Sequence, residues 1–164
     1  MSTRQDTQSG WPAGSKFAEP EDSVGFLLWQ SLHLWQRHAT AGLADLNLTH
    51  MQFTVLAGIG WLSRDGAAPI QAAVADHCKL DAMTVSQIVR VLEKKGFIDR
   101  SAAADDARAK AVRLTAAGAT ALAAALPRID ELDTGFFAAA DVGALTRELG
   151  ALYRARVQPG RDGR

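Results

Sequence analysis

The apolar residues Val85, Ile88, Val89 and Leu92 recur at i, i+3, i+4 and i+7, and Gly96 stands four residues beyond the last of them. This spacing predicts an amphipathic helix over residues 82–95 closed by a glycine cap. What flanks it narrows the fold further. A short helical stretch over residues 71–78 precedes it, separated only by Lys79-Leu80-Asp81. Two short helices joined in this way form a helix-turn-helix. Downstream, Phe97-Ile98-Asp99-Arg100 and Ala111-Val112-Arg113-Leu114 alternate apolar and polar residues as half-buried strands do, with residues 101–110 as the loop between them. The expected fold is therefore mainly α with a small β-wing (α+β), a winged helix-turn-helix.

The flanks read as helices. Val24, Leu27, Leu28, Leu32 and Trp35 share one wide apolar face of a helix over residues 23–41, while Phe26, Trp29 and His33 lie on another side. A helix apolar on two sides needs two partners, one of which can be a second subunit or a ligand. Thr49-His50-Met51-Gln52 matches the capping box, with Leu48 and Phe53 placed to pair as a hydrophobic staple, so a helix starts at residue 50 and runs to the Asp65-Gly66 turn. From Thr115 the alanine-rich chain is helical to about residue 140, with Pro127 expected to kink or split it. Asp141 can cap a last helix carrying Val142, Leu145, Leu149 and Leu152. The chain thus divides into a polar arm (1–20), one domain (21–157) and a loose tail (158–164). Within the domain the winged helix-turn-helix spans about 46–115, between helices at 23–41 and 116–156.

On the helix at 82–95, the residues off the apolar stripe are Thr84, Ser86, Gln87, Arg90 and Lys94. Hydroxyls, an amide and cations are what base edges and phosphates accept, and a major groove about 12 Å wide admits one helix. The same residues would equally suit an ordinary solvated face; the adjoining turn, glycine and wing favour the nucleic-acid reading. Overall charge is silent, with Lys plus Arg and Asp plus Glu at 18 each. Between Lys79 and Thr115, however, eight basic residues face five acidic ones, an excess of three. Arg100, Arg108 and Lys110 place part of that excess on the wing.

Leu46-Asn47-Leu48-Thr49 with Gln52-Phe53, Thr84-Val85-Ser86, Leu92-Glu93-Lys94-Lys95-Gly96-Phe97-Ile98, Asp106-Ala107-Arg108, and Leu114-Thr115 with Gly118 occur in order across about residues 46–118. In this order and spacing they resemble the multiple-antibiotic-resistance regulator (MarR) family. The resemblance implies a homodimer joined through its terminal helices and bound to double-stranded DNA at an inverted-repeat operator. It makes Arg108 the wing-tip arginine, oriented by Asp106. It also implies a repressor released by a small aromatic or phenolic effector, whose cleft would draw on Trp29, His33, Phe53 and Trp61. Those aromatics would equally serve a core or a dimer interface. The wing departs from the family's form in Ser101-Ala102-Ala103-Ala104, which is poor in cations.

Two alternatives stand beside the repressor. One is a winged-helix module that binds protein and has weak DNA affinity, in keeping with the balanced charge and alanine-rich wing. The other is a redox-responsive regulator working through Cys78, which has no second cysteine to resolve it. No glycine-rich phosphate loop, nucleophile elbow or metal-spaced ligand set is visible, so neither an enzyme nor a cofactor or metal is expected. The absence of an apolar span of about 18 residues argues against a membrane protein. The lone cysteine and the lack of an apolar leader at the N-terminus make the cytoplasm the expected compartment.

Overall fold

A computed structural model describes residues 14–102 and 110–157. The chain forms two compact units divided between Trp35 and Gln36. In the first, a 3-10 turn at Pro20–Asp22 leads into helix α1 (Val24–Gly42), which continues into the second unit. Ser23 closes the turn, its N donating to the Pro20 carbonyl at 3.0 Å. The expected apolar face is present, and Val24, Leu27, Leu28 and Leu32 stand exposed along it. Trp29 and His33 pack together at 4.3 Å between ring centroids, and the His33 Nδ1 lies 2.8 Å from the Trp29 carbonyl.

The second unit is organised by α2 (His50–Leu62). Its capping box forms as the sequence predicts: Thr49 Oγ1 accepts from Gln52 N at 3.3 Å, and Gln52 Oε1 accepts from Thr49 N at 3.2 Å. Leu48 and Phe53, the two staple residues, are both buried. Phe53, Val55, Leu56 and Ile59 bury most of the helix circumference, as expected of a helix covered on several sides. It packs against α3 (Gln71–Cys78), α4 (Ala82–Lys94), α5 (Ala116–Phe136) and the second strand. Leu43, Val74, Val85, Val89, Leu92, Ile98, Val112, Ala125 and Ile129 complete one core.

The wing consists of β1 (Ile98–Ala102) and β2 (Lys110–Leu114), antiparallel, with Ile98 opposite Leu114 and Ala102 opposite Lys110. Ser101, Ala102 and Lys110, expected in the loop, belong to the strands, because the ladder pairs them. The middle of β2 is also tied down by Val112 N donating to the Pro69 carbonyl at 2.9 Å.

Pro127 lies inside one continuous α5, so the expected split into two pieces does not occur. Proline costs this helix the bond to the carbonyl four residues back, but Ala125 and Ile129 on either side are buried and hold the segment in register. The helix stops at Phe136 rather than near residue 140, and a turn over residues 137–140 leads to α6 (Val142–Val157). Asp141 caps α6 through Oδ1, which accepts from Ala144 N at 2.9 Å. Val142, Leu149, Leu152, Tyr153 and Val157 are exposed on α6, and none of its residues is buried. No helix among the described residues is long and apolar enough to cross a membrane.

Candidate nucleic-acid interface

The helix-turn-helix owes its geometry to both ends of α4. At the start, Asp81 is the cap: Oδ1 accepts from Thr84 N at 2.8 Å and Oδ2 from the Thr84 hydroxyl at 2.6 Å. These bonds, the hydroxyl's foremost, hold the Asp81 carboxyl below its usual range. At the far end Gly96 takes φ +73°, Gly96 N donates to the Glu93 carbonyl and Phe97 N to the Leu92 carbonyl, both at 2.9 Å. This paired closure reverses the chain and aims it into β1. The turn before α4 uses the same device with Lys79 at φ +54°, a left-handed conformation that a side chain enters at some cost.

Between these ends the helix has two faces. Val85, Val89 and Leu92 are buried, whereas Gln87, Arg90 and Lys94 are exposed on the far side. Ser86 and Thr84 flank that stripe, half-buried, and the Thr84 hydroxyl already donates its hydrogen bond to Asp81. Met83 is exposed on the same stripe and escaped the sequence reading, which looked for polar side chains; its helical phase with Gln87 is the signal that could have found it.

Not every cation of the segment reaches this surface. Lys95 turns back into the fold, where Nζ donates to the Asn47 carbonyl at 2.5 Å and to Gln52 Oε1 at 2.8 Å, and burial lowers its pKa. Arg100 forms an ion pair with Glu93, which raises the arginine and lowers the carboxylate through their hydrogen bond first and their charges second. Arg100 and Lys110 share a notch of about 260 Å³ with Glu93, Ser101 and Ala102, between the end of α4 and the wing. Arg108 and Asp106 lie outside the described residues. The structure thus brings Gln87, Arg90 and Lys94 together on one helix face and Arg100 with Lys110 on the wing.

A second feature is an open cleft of about 650 Å³ bounded by α2, α3 and α5. Its lining is mostly apolar, from Ala57, Gly58, Trp61, Leu122 and Leu126, with Thr54, Arg64, His77 and Cys78 as the polar members. The Arg64 guanidinium lies 4.5 Å over the Trp61 ring and donates to the Trp61 carbonyl at 3.0 Å. Of the residues expected at an effector site, Trp61 lines this cleft, Phe53 is buried in the core at 8% exposure, and Trp29 and His33 belong to the first unit. Arg64, His77 and Leu122 were not expected; Arg64 follows Trp61 at helical spacing, whereas the other two arrive only by tertiary packing. Cys78 is half-buried with Sγ 3.6 Å from the Thr54 carbonyl, and burial pushes its thiol upward, away from the thiolate a redox sensor needs. Among the described residues no group of three or more His, Cys, Asp or Glu side chains is placed to hold a metal ion.

Comparison with known proteins agrees with this architecture. A model of the MarR family matches residues 48–110. The chain is 43% identical over 126 residues to an uncharacterized HTH-type transcriptional regulator, YdcH, of Bacillus subtilis (strain 168), covering 77% of this chain and 86% of the relative. Among solved structures, CouR from Rhodococcus jostii RHA1 bound to p-coumaroyl-CoA superposes with a TM-score of 0.75 at 20% identity, covering 90% of this chain and 100% of that one. The S. aureus MepR–DNA complex superposes with a TM-score of 0.71 at 23% identity, covering 82% and 97% respectively.

Proposed function

The chain belongs to the MarR family of DNA-binding transcriptional regulators, which are not enzymes, and on that premise we propose that it is a homodimeric repressor released from an inverted-repeat operator by a small aromatic or phenolic ligand. The observation that carries the DNA reading is the stripe of Gln87, Arg90 and Lys94 on the face of α4 away from its buried residues. Gln87 can pair with an adenine edge, while Arg90 and Lys94 reach guanine or phosphate. Arg100, Lys110 and Arg108 supply cations from the wing, and Ser86 and Thr84 contribute hydroxyl oxygens at the margins.

Dimerisation is supported by the apolar side chains exposed on α1 and, separately, on α6. A second copy of the chain covers both. Two-fold symmetry then places the half-sites about 10 base pairs apart or slightly more. The effector belongs in the cleft beside α2, with its ring against Trp61 and its carboxylate or phenolate paired with Arg64. Such a regulator works in the cytoplasm.

A second reading, a protein-interaction module with weak DNA affinity, draws on the inward turn of Lys95 and the pairing of Arg100 with Glu93, which thin the positive face. Binding of the purified protein to its own upstream DNA, measured at two salt concentrations, separates the two. Sequence-specific binding that falls steeply with salt supports the repressor, since phosphate contacts release counterions. If Gln87→Ala combined with Arg108→Ala leaves operator affinity unchanged, the reading surface is misplaced.

A further inference from the structure

Met83 stands in the first turn of α4 with 73% of its surface exposed, on a helix whose other apolar residues are buried or flanking. At about 100° per residue, Met83, Gln87, Arg90 and Lys94 fall within an arc of roughly 60°, while Val85 and Leu92 point some 160–180° away. Met83 therefore occupies the N-terminal end of the stripe assigned above to DNA. In helix-turn-helix docking it is the N-terminal residues of the second helix that reach base edges. That end carries no cation here: Asp81, Ala82, Met83 and Thr84 are acidic, apolar or neutral. The Thr84 hydroxyl already donates its hydrogen bond to Asp81. Met83 is thus the longest side chain available at this end, and it is apolar. In the major groove of unmodified DNA the base pairs present one apolar group, the C5-methyl of thymine.

We propose that Met83 is a specificity-determining residue that packs on the methyl group of a thymine in each half-site, beside an adenine bound by Gln87. The proposal rests on the DNA-binding reading of α4. Four residues advance a helix by about 6 Å, and stacked bases are about 3.4 Å apart, so the thymine and the adenine lie within about two base steps. Thioether flexibility lets the side chain follow the methyl without strict geometry.

The test starts with selection of duplexes from a randomised pool by the full-length protein. Each thymine of the selected half-site is then replaced by deoxyuridine, which keeps base pairing and removes only the methyl group. For the wild type, one replacement is expected to weaken binding about fourfold per half-site, the value of one buried methyl group. Met83→Ala is expected to lose that sensitivity and no other, whereas Met83→Leu keeps it. Measurement at low salt holds weak variants within range. The proposal is overturned if no thymine of the wild-type site is methyl-sensitive, or if Met83→Ala retains the same sensitivities at every position. Failure of the wild type to enrich any sequence would instead remove the DNA reading on which the proposal stands.

Discussion

Gly118 lies two residues inside α5, where the helix meets the exit from α4, and Gly118→Ala tests how tightly the two are joined. A Cβ built on Gly118 stands 1.9 Å from the Phe97 carbonyl oxygen and 2.8 Å from its carbon. An unstrained carbon–oxygen contact is about 3.3 Å, so two backbones must part by roughly 1.4 Å. The same Phe97 oxygen accepts from Thr115 N at 3.1 Å, and Thr115 caps α5 by accepting from Gly118 N at 3.0 Å. Displacement costs about 1 kcal/mol for the weakened cap and about 1–3 kcal/mol for overpacking. Replacing glycine in a helix gives back about 1 kcal/mol. The net expectation is a loss of about 1–3 kcal/mol, or roughly 2–12 °C in Tm for a domain of this size. Gly135→Ala is the control within the same helix: a Cβ there meets nothing within 4 Å, so only the propensity gain remains and Tm should rise slightly. Thermal unfolding at fixed protein concentration gives both signs. A Gly118→Ala protein as stable as wild type, or more so, would refute the close approach.

The remaining predictions concern charge and protonation. Lys95→Met should cost about 1–2 kcal/mol in urea unfolding through its lost hydrogen bonds while leaving the salt slope of DNA binding unchanged; Lys94→Ala should lower that slope by about one and barely affect stability. His50 is 7% exposed, and burial, partly opposed by the charge of Asp133, holds its imidazole below the usual value of 6.5. The unfolded chain then binds the proton first, so this stabilisation is complete above pH 6.5 and is lost as pH falls from there through the folded value. Urea midpoints at pH 7.5 and 5.5 should therefore differ less in His50→Asn than in wild type. Cys78, its thiol raised by burial, should react with iodoacetamide at pH 7.5 more slowly in the folded protein than in denaturant.

The elements that the sequence marks with local signals form as expected. Thr49 and Gln52 are three residues apart and cap each other, and α4 closes at Gly96, where Gly96 N bonds the Glu93 carbonyl and Phe97 N the Leu92 carbonyl. The wing strands pair as expected, although burial does not alternate along them, with only Ile98 buried in β1 and Ala111 and Val112 buried side by side in β2. Such features are decided within one turn of chain. The candidate site is less legible wherever a side chain's direction is decided by a distant partner. Lys94 and Lys95 look alike in sequence, yet Lys95 finds the Asn47 carbonyl 48 residues away and leaves the exposed face. Arg100 meets Glu93 only because the chain reverses at Gly96. The cleft gathers Trp61, His77 and Leu122 from three helices, a proximity that no periodicity encodes. Pro127 misleads for the converse reason: its local cost is real, but burial of its neighbours outweighs it.

Thr115 places its hydroxyl between two backbone groups, donating to the Gly96 carbonyl at 2.7 Å and accepting from Gly118 N at 3.0 Å. One oxygen thereby joins the last turn of α4 to the first turn of α5. Opening either end breaks a bond of the other, so the two helix termini belong to one cooperative unfolding unit. The amides of Phe97 and Gly118 should accordingly exchange with solvent deuterium through the same opening event and with the same free energy. Fraying, which ordinarily begins at helix ends, is suppressed here at the joint between α4 and α5.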